Sequence, residues 1–392
     1  MLILAGCGPA AQPVASASPV TATPAATGPS PTPYVVPVGS PLPAGRPLSK
    51  VAVLNDRDAV VAGDGVILRT ADGGARWTPV YEGAAKVRML HWVDSLNLVA
   101  ASGLGLLKSR DGGYHWRLVN PRTDLIRLHF IDPINGFAIA GSIPGGWIDP
   151  DFPLANAVAG AELLRTWDGG VSFHHRATAL PFVQWVQFVT PLHGWAAGPD
   201  GIETTLDGGS SWQVQLRFPS TLFRYDGRVW WGAQVGFRDE LHGFAFYRAD
   251  QTVMSAGSGR LYYTADGGFH WQLQSYTSPG EAPDAVGAPM TLPWSVNGEL
   301  VVTGPGSAII LETNFTTYQT DRCSSDDAGR SWGCSTLAFT GAASGQLAVR
   351  DGIEWLALTD QGASVAEIAI SHDGGSSWNV NRFPLPNGYP TS

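Results

Sequence analysis

From residue 47 onward the chain alternates short apolar and polar steps. Leu128-His-Phe-Ile-Asp132-Pro-Ile-Asn-Gly136-Phe-Ala-Ile-Ala140 is one such stretch, Gln187-Phe-Val-Thr-Pro-Leu-His-Gly194-Trp-Ala-Ala197 a second, and Val235-Gly-Phe-Arg-Asp239-Glu-Leu-His-Gly243-Phe-Ala-Phe246 a third. Period-two alternation predicts half-buried strands, and the Asp, Asn, Pro and Gly clusters between them predict turns. Each unit therefore reads strand, turn, strand, loop, strand, turn, strand.

The last turn of every unit carries Ser/Thr-x-Asp-x-Gly-x-x-Trp/Phe, an Asp box. The copies are Thr70 to Trp77, Ser109 to Trp116, Thr166 to Phe173, Thr205 to Trp212, Thr264 to Trp271, Ser325 to Trp332 and Ser371 to Trp378. Recurrence at roughly 40 to 60 residues predicts an all-β, seven-bladed β-propeller of four-stranded antiparallel blades. The blades fall at 47–82, 86–120, 125–177, 182–217, 230–275, 288–339 and 345–384. In the sixth, Leu300 to Thr303 and Ile309 to Thr313 compete for one strand position. Ring closure rests either on packing or on Tyr34 to Val38 adding an edge strand. Asp72, Asp111, Asp168, Asp207, Asp266, Asp327 and Asp373 read as turn staples: each carboxylate accepts backbone N–H groups two or three residues on, and Gly at the fifth position permits positive φ.

The chain has 392 residues, 44% of them hydrophobic, with 15 Trp and 48 Gly. That is enough to bury a large core between blades. A formal charge of −9 with three Lys against 21 Arg gives no electrostatic footprint for nucleic acid. No apolar run is long enough to span a bilayer.

The start, Met1-Leu-Ile-Leu4-Ala5-Gly6-Cys7, resembles the lipobox of bacterial lipoproteins, which implies cleavage before Cys7 and a diacylglycerol anchor on its thiol; the charged region and most of the apolar region of such a signal are missing. The alternative is an ordinary start that contains a Cys. Residues 8–46, almost all Pro, Ala, Ser, Thr, Val and Gly, read as an unstructured tether of up to about 100 Å at roughly 3.1 Å per residue. The organisation expected is 1–7 truncated signal, 8–46 tether and 47–386 propeller, extracytoplasmic and held to the membrane by its lipid alone. Cys323 and Cys334 flank the sixth box on the two strands of one hairpin, which favours a disulfide over two free thiols.

Long insertions fall in one set of connections, at 141–161, 218–229, 248–259, 276–288 and 304–317, and so on one face of the disc. Loops on a rigid scaffold usually carry function, so that face is the expected binding site. Its candidates are Trp147, Asp149, Asp151, Arg224, Tyr225, Arg228, Trp230, Trp231 and Arg248. Aromatic planes mixed with Arg and carboxylates suit stacking on sugars or docking a peptide. Trp230 and Trp231 can equally begin a strand with one ring in the core.

The coupling of Gly-Phe/Trp-Ala with Thr-x-Asp-Gly-Gly-x-x-Trp over nearly all of 47–384 resembles the photosystem II stability/assembly factor family and its bacterial propeller relatives. That resemblance implies a non-enzymatic, extracytoplasmic binding or scaffold propeller assisting a membrane protein complex, with a protein partner. Bacterial sialidases and xyloglucanases also carry Asp boxes, and they imply a glycoside hydrolase or carbohydrate-binding alternative. The sialidase Arg-Ile-Pro phrase is absent, since Arg46-Pro47 lacks the middle residue; a xyloglucanase needs a longer, two-propeller chain. Glycosidase chemistry requires two carboxylates about 5 to 9.5 Å apart, for which Asp149, Asp151, Glu281 and Asp284 are candidates. The nine His are scattered, no Cys/His spacing suggests a metal, and no cofactor motif occurs.

Overall fold

The computed structural model describes residues 36–37, 48–141, 162–179, 183–198, 200–218, 231–249, 258–276, 300–314, 319–337, 346–359 and 365–384. All regular structure among them is β, in antiparallel ladders. Five sheets have four strands each, in chain order across the sheet. The third of the six sheets is representative: Trp185–Phe188, Gly194–Gly198, Gly201–Thr205 and Gln213–Arg217. Its two middle strands are buried along their whole length, whereas the last is largely open to solvent. A strand covered on both faces by neighbouring sheets needs apolar or small residues throughout, which is what Gly-Trp-Ala-Ala-Gly supplies.

The expectation of seven separate four-stranded sheets is corrected at the N-terminal end. Regions 47–82 and 86–120 share one seven-stranded sheet, because a single strand, Arg76–Trp92, runs from one into the other. Its first half pairs with Ala59–Thr70 and its second half with Leu98–Ser102. Nothing between Glu82 and Lys86 forces a turn, so the ladder continues. Within this sheet Ala59–Thr70 folds back on itself. Twelve residues of straight strand span about 40 Å, yet the Gly73 N–H donates to the Arg57 carbonyl at 3.0 Å. Gly65, at φ 67°, lies where the chain must reverse.

Leu300–Gly304 and Ser307–Asn314 are both strands, the first and second of the fifth sheet, which resolves their competition and removes the insertion expected across 304–317 up to Asn314. Likewise Arg248 pairs with Gly259 and Ala249 with Ser258, so the loop expected from Arg248 shrinks to 250–257.

Facing sheets interlock through aromatic rings. Phe137 stacks on Phe188 at 3.7 Å and Trp195 on Phe237 at 3.5 Å. These are the aromatics of the Gly-aromatic-Ala phrase, each laid on the first strand of the next sheet. The Gly of that phrase serves space rather than φ: a Cβ on Gly194 would lie 2.4 Å from the Phe188 ring, and one on Gly243 would lie 2.5 Å from Phe237.

The ring closes by packing and side-chain hydrogen bonds. Leu48, Val51, Trp77, Trp355, Ile370 and Phe383 form one core cluster joining the first and last sheets. Trp77 meets Trp355 and Phe383 edge-on, at 5.9 and 6.5 Å. Asn381 Nδ2 donates to the Gly74 carbonyl at 2.7 Å, and the Val51 N–H to Gln346 Oε1 at 3.3 Å. Val36–Pro37 pairs with Trp77 and Arg76 on the first sheet, so the N-terminal segment adds to that sheet without bridging the seam. Between the fifth and sixth sheets Arg322 grips Glu354 with two buried bonds of 2.7 and 2.5 Å, a pairing that two isolated buried charges require.

Candidate functional site

The recurring turns have one geometry. In the third sheet the Thr205 hydroxyl donates to Asp207 Oδ1 and accepts the buried Gly209 N–H, each at 2.8 Å. Asp207 Oδ1 then accepts the Ser211 N–H at 2.8 Å and Oδ2 the Ser211 hydroxyl at 2.6 Å. The Ser210 N–H, three residues beyond the Asp, also donates to Oδ1 at 2.9 Å, so the backbone donors lie three and four residues on, while the Thr205 hydroxyl takes the N–H groups of Asp207 and Gly209. Gly209 sits at φ 78°, while in the sixth copy Ala328 occupies the preceding position at φ 65°. Burial alone would raise the Asp168 and Asp207 carboxyls, but bonds from the Ser172 and Ser211 hydroxyls and backbone hold both at about 2. The Ser377 hydroxyl and N–H hold Asp373 at about 2 as well. A carboxylate so committed is a poor proton donor at neutral pH.

In four of the turns the carbonyl of the fourth residue also ties neighbouring units together. The Gly112 carbonyl accepts Arg69 Nε at 2.7 Å, that of Gly169 accepts Lys108 Nζ at 3.4 Å, that of Gly208 accepts Arg165, and that of Gly267 accepts Trp195 Nε1 at 3.1 Å. Cys323 and Cys334 are cross-strand partners joined by a disulfide.

Of the residues expected on the loop-rich face, Trp147, Asp149, Asp151, Arg224, Tyr225, Arg228 and Trp230 lie outside the described residues, as do Cys7, Glu281 and Asp284. Trp231 and Arg248 lie in paired strands of the fourth sheet, Trp231 opposite Ala249 and Arg248 opposite Gly232.

The described residues instead place polar chemistry at the centre. First strands of successive sheets meet around the axis, each with an edge of unpaired backbone that needs partners. Side chains from the preceding sheet supply them. His91 Nε2 contacts the Phe130 carbonyl at 3.3 Å and His129 Nε2 that of Phe188 at 2.8 Å. Gln187 brackets Phe237, accepting its N–H at 2.7 Å and donating to its carbonyl at 2.9 Å. Gln234 does the same to Leu300, at 2.9 and 3.0 Å. Burial, with the His91 charge as a lesser cause, pushes the His129 pKa down to about 4, and burial lowers that of His91 too. Both are neutral hydrogen-bond donors at pH 7. Where these strands end, a cavity of about 560 Å³ opens, lined by His91, Trp92, Arg238, Thr303, Gln346 and Arg350 among others.

A second feature recurs around the same face. Leu96, Ile134, Leu192 and Leu241 occupy one position in the first turn of four consecutive units and are 56, 56, 57 and 53% exposed. Their carbonyls accept the N–H of Gly112, Gly169, Gly208 and Gly267, fixing turn against turn through backbone alone. Arg57 does the same for Gly73, so the fold makes no demand for an apolar side chain here. Sequence reasoning passed over them, although Asp94-Ser-Leu96-Asn, Asp132-Pro-Ile134-Asn and Asp239-Glu-Leu241-His repeat visibly. Among the described residues no group of His, Cys, Asp and Glu is placed to hold a metal.

The chain is similar in structure to an ancestral GH74 enzyme, at 16% identity over 89% of this chain and 48% of that one, with a TM-score of 0.55. Prolyl endopeptidases studied for inter-domain dynamics match at 11% identity over 87% of this chain and 50% of theirs, TM-score 0.53. The fold is a β-propeller. This chain spans about half the length of those proteins, and at such identities the likeness shows the fold alone. YCF48 bound to D1 peptide overlaps at 19% identity over 67% of this chain and 82% of that chain, but a TM-score of 0.32 carries no argument. No family model and no curated protein matches the sequence.

Proposed function

We propose that this propeller is a binding module that docks a protein partner and performs no chemistry of its own. The observation that supports the reading is the exposed apolar residue at one turn position of four successive units, where the backbone does the structural work. Singly scattered surface leucines need no explanation, but a repeated set marks an interaction surface. Asp94, Asp132 and Asp239 stand beside three of the four. Burial would raise their carboxyls, but bonds from Asn97, Asn135 and His242 and neighbouring N–H groups keep them below the usual range. Apolar knobs between permanent negative charges suit a partner segment in which apolar residues alternate with Lys or Arg.

In this proposal the seven-stranded sheet counts as two units, since Ala59–Thr70 folds back and Arg76–Trp92 serves both, which gives seven blades for seven Asp boxes. Residues 8–35, ahead of the strand at Val36–Pro37, act as a tether from a lipid on Cys7, placing the propeller outside the cytoplasm beside a membrane complex as the client. The experiment compares a partner cross-linked to the wild-type protein in the envelope with that cross-linked to a variant carrying Leu96→Ser, Ile134→Ser, Leu192→Ser and Leu241→Ser. Loss of one defined band from the folded variant is expected. Retention of that band, with loss instead on replacing Arg224, Trp230 and Trp231 by Ala, moves the docking surface to the loop-rich face.

A further inference from the structure

The central cavity contains an arrangement that the docking surface does not use. Its wall is apolar where Leu90, Val302, Ala348 and Val349 face it, and its rim carries Arg238, just after the first strand of the fourth sheet, and Arg350, at the end of the first strand of the sixth. Neither guanidinium has a hydrogen bond or ion pair with any described residue, unlike Arg69, Arg165 and Arg322, which are tied into neighbouring units. Gln346 spends its Oε1 on the Val51 N–H, leaving its amide N–H groups free of any described acceptor. Thr303 adds a hydroxyl. The rim has one carboxylate, Asp351, held in the left-handed region at φ 51° on the turn after Arg350. His91 adds no positive charge, because burial lowers its pKa and keeps the imidazole neutral at pH 7. Among the residues that line the cavity, two guanidiniums stand against one carboxylate above an apolar shaft.

We infer that the mouth of the central channel binds a small organic carboxylate, its anionic head between Arg238 and Arg350 and its apolar body along Val302, Ala348 and Val349. A planar guanidinium fork matches a carboxylate in geometry and charge. A volume of about 560 Å³ lies in the range of small-molecule sites and well beyond what a simple inorganic anion fills. The site is independent of protein docking, and its failure leaves that reading untouched.

The test titrates the full-length protein with hexanoate, hexan-1-ol and inorganic phosphate, following heat of binding and the indole N–H resonance of Trp92, which lines the cavity. Saturable hexanoate binding that shifts this resonance is expected, weakened roughly tenfold or more in Arg238→Gln and Arg350→Gln, with hexan-1-ol at least as much weaker. Both substitutions are at exposed positions, and an unchanged near-ultraviolet circular dichroism spectrum confirms that the fold survives. Phosphate binding as tightly as hexanoate overturns the assignment of an organic acid. Equal hexanoate affinity in wild type and the double variant, or no binding to wild type, overturns the site.

Discussion

The histidines around the axis make acid stability a sensitive probe of the inner ring. His129 carries its proton on Nε2 against the Phe188 carbonyl, and burial holds its pKa at about 4 against an ordinary value of 6.5. Above pH 6.5 the imidazole is neutral folded or unfolded and contributes nothing to pH dependence. Below 6.5 the unfolded chain takes up a proton that the folded one refuses, so stability falls until pH approaches 4, where the folded histidine titrates as well. The difference between 6.5 and about 4 amounts to about 2.5 kcal/mol by pH 4.5. The staple carboxylates act in a different window: with pKa values lowered from 3.8, they lose their contribution only as pH falls below about 4. The perturbation is His129→Gln, because Gln187 makes the same bond to Phe237 without titrating. Urea denaturation at pH 7.5 and 4.5 reads the effect. The variant should lose about 2.5 kcal/mol less than wild type between the two pH values; parallel losses would refute a buried, neutral His129.

Thr205→Val keeps the shape of the side chain but leaves the buried Gly209 N–H without its 2.8 Å acceptor, and should cost about 1–3 kcal/mol in denaturant midpoint measurements. Gly194→Ala pushes a methyl group to within 2.4 Å of the Phe188 ring, and should cost about 1–3 kcal/mol by overpacking. In that variant, Phe188→Leu should recover part of the loss, as followed by thermal unfolding.

Much of the architecture was legible because the turn signals are local. Every hydroxyl, carboxylate and glycine of a box lies within five residues, and the bond network they make closes within seven. The alternation around Gly136, Gly194 and Gly243 likewise located paired strands. What the sequence hid were interactions between units. His129 on a mostly apolar strand looks incidental until Phe188, 59 residues away, is seen to need a donor. Arg322 and Glu354 sit 32 residues apart on different sheets with no local pattern linking them. The fused first sheet was missed because two short apolar runs joined by small residues look the same whether the chain turns or continues. The exposed leucines were missed for another reason: in a turn phrase, attention goes to the residues that make the turn.

The seam between first and last sheets has a further consequence. Among the described residues no strand crosses it, and each four-stranded sheet is built from a contiguous piece of chain. The polypeptide can therefore be relinked end to end and cut anew between the third and fourth sheets, and the circular permutant inherits the same kind of closure elsewhere in the ring. A cut within Arg76–Trp92 is not equivalent, since there one strand holds two neighbours together.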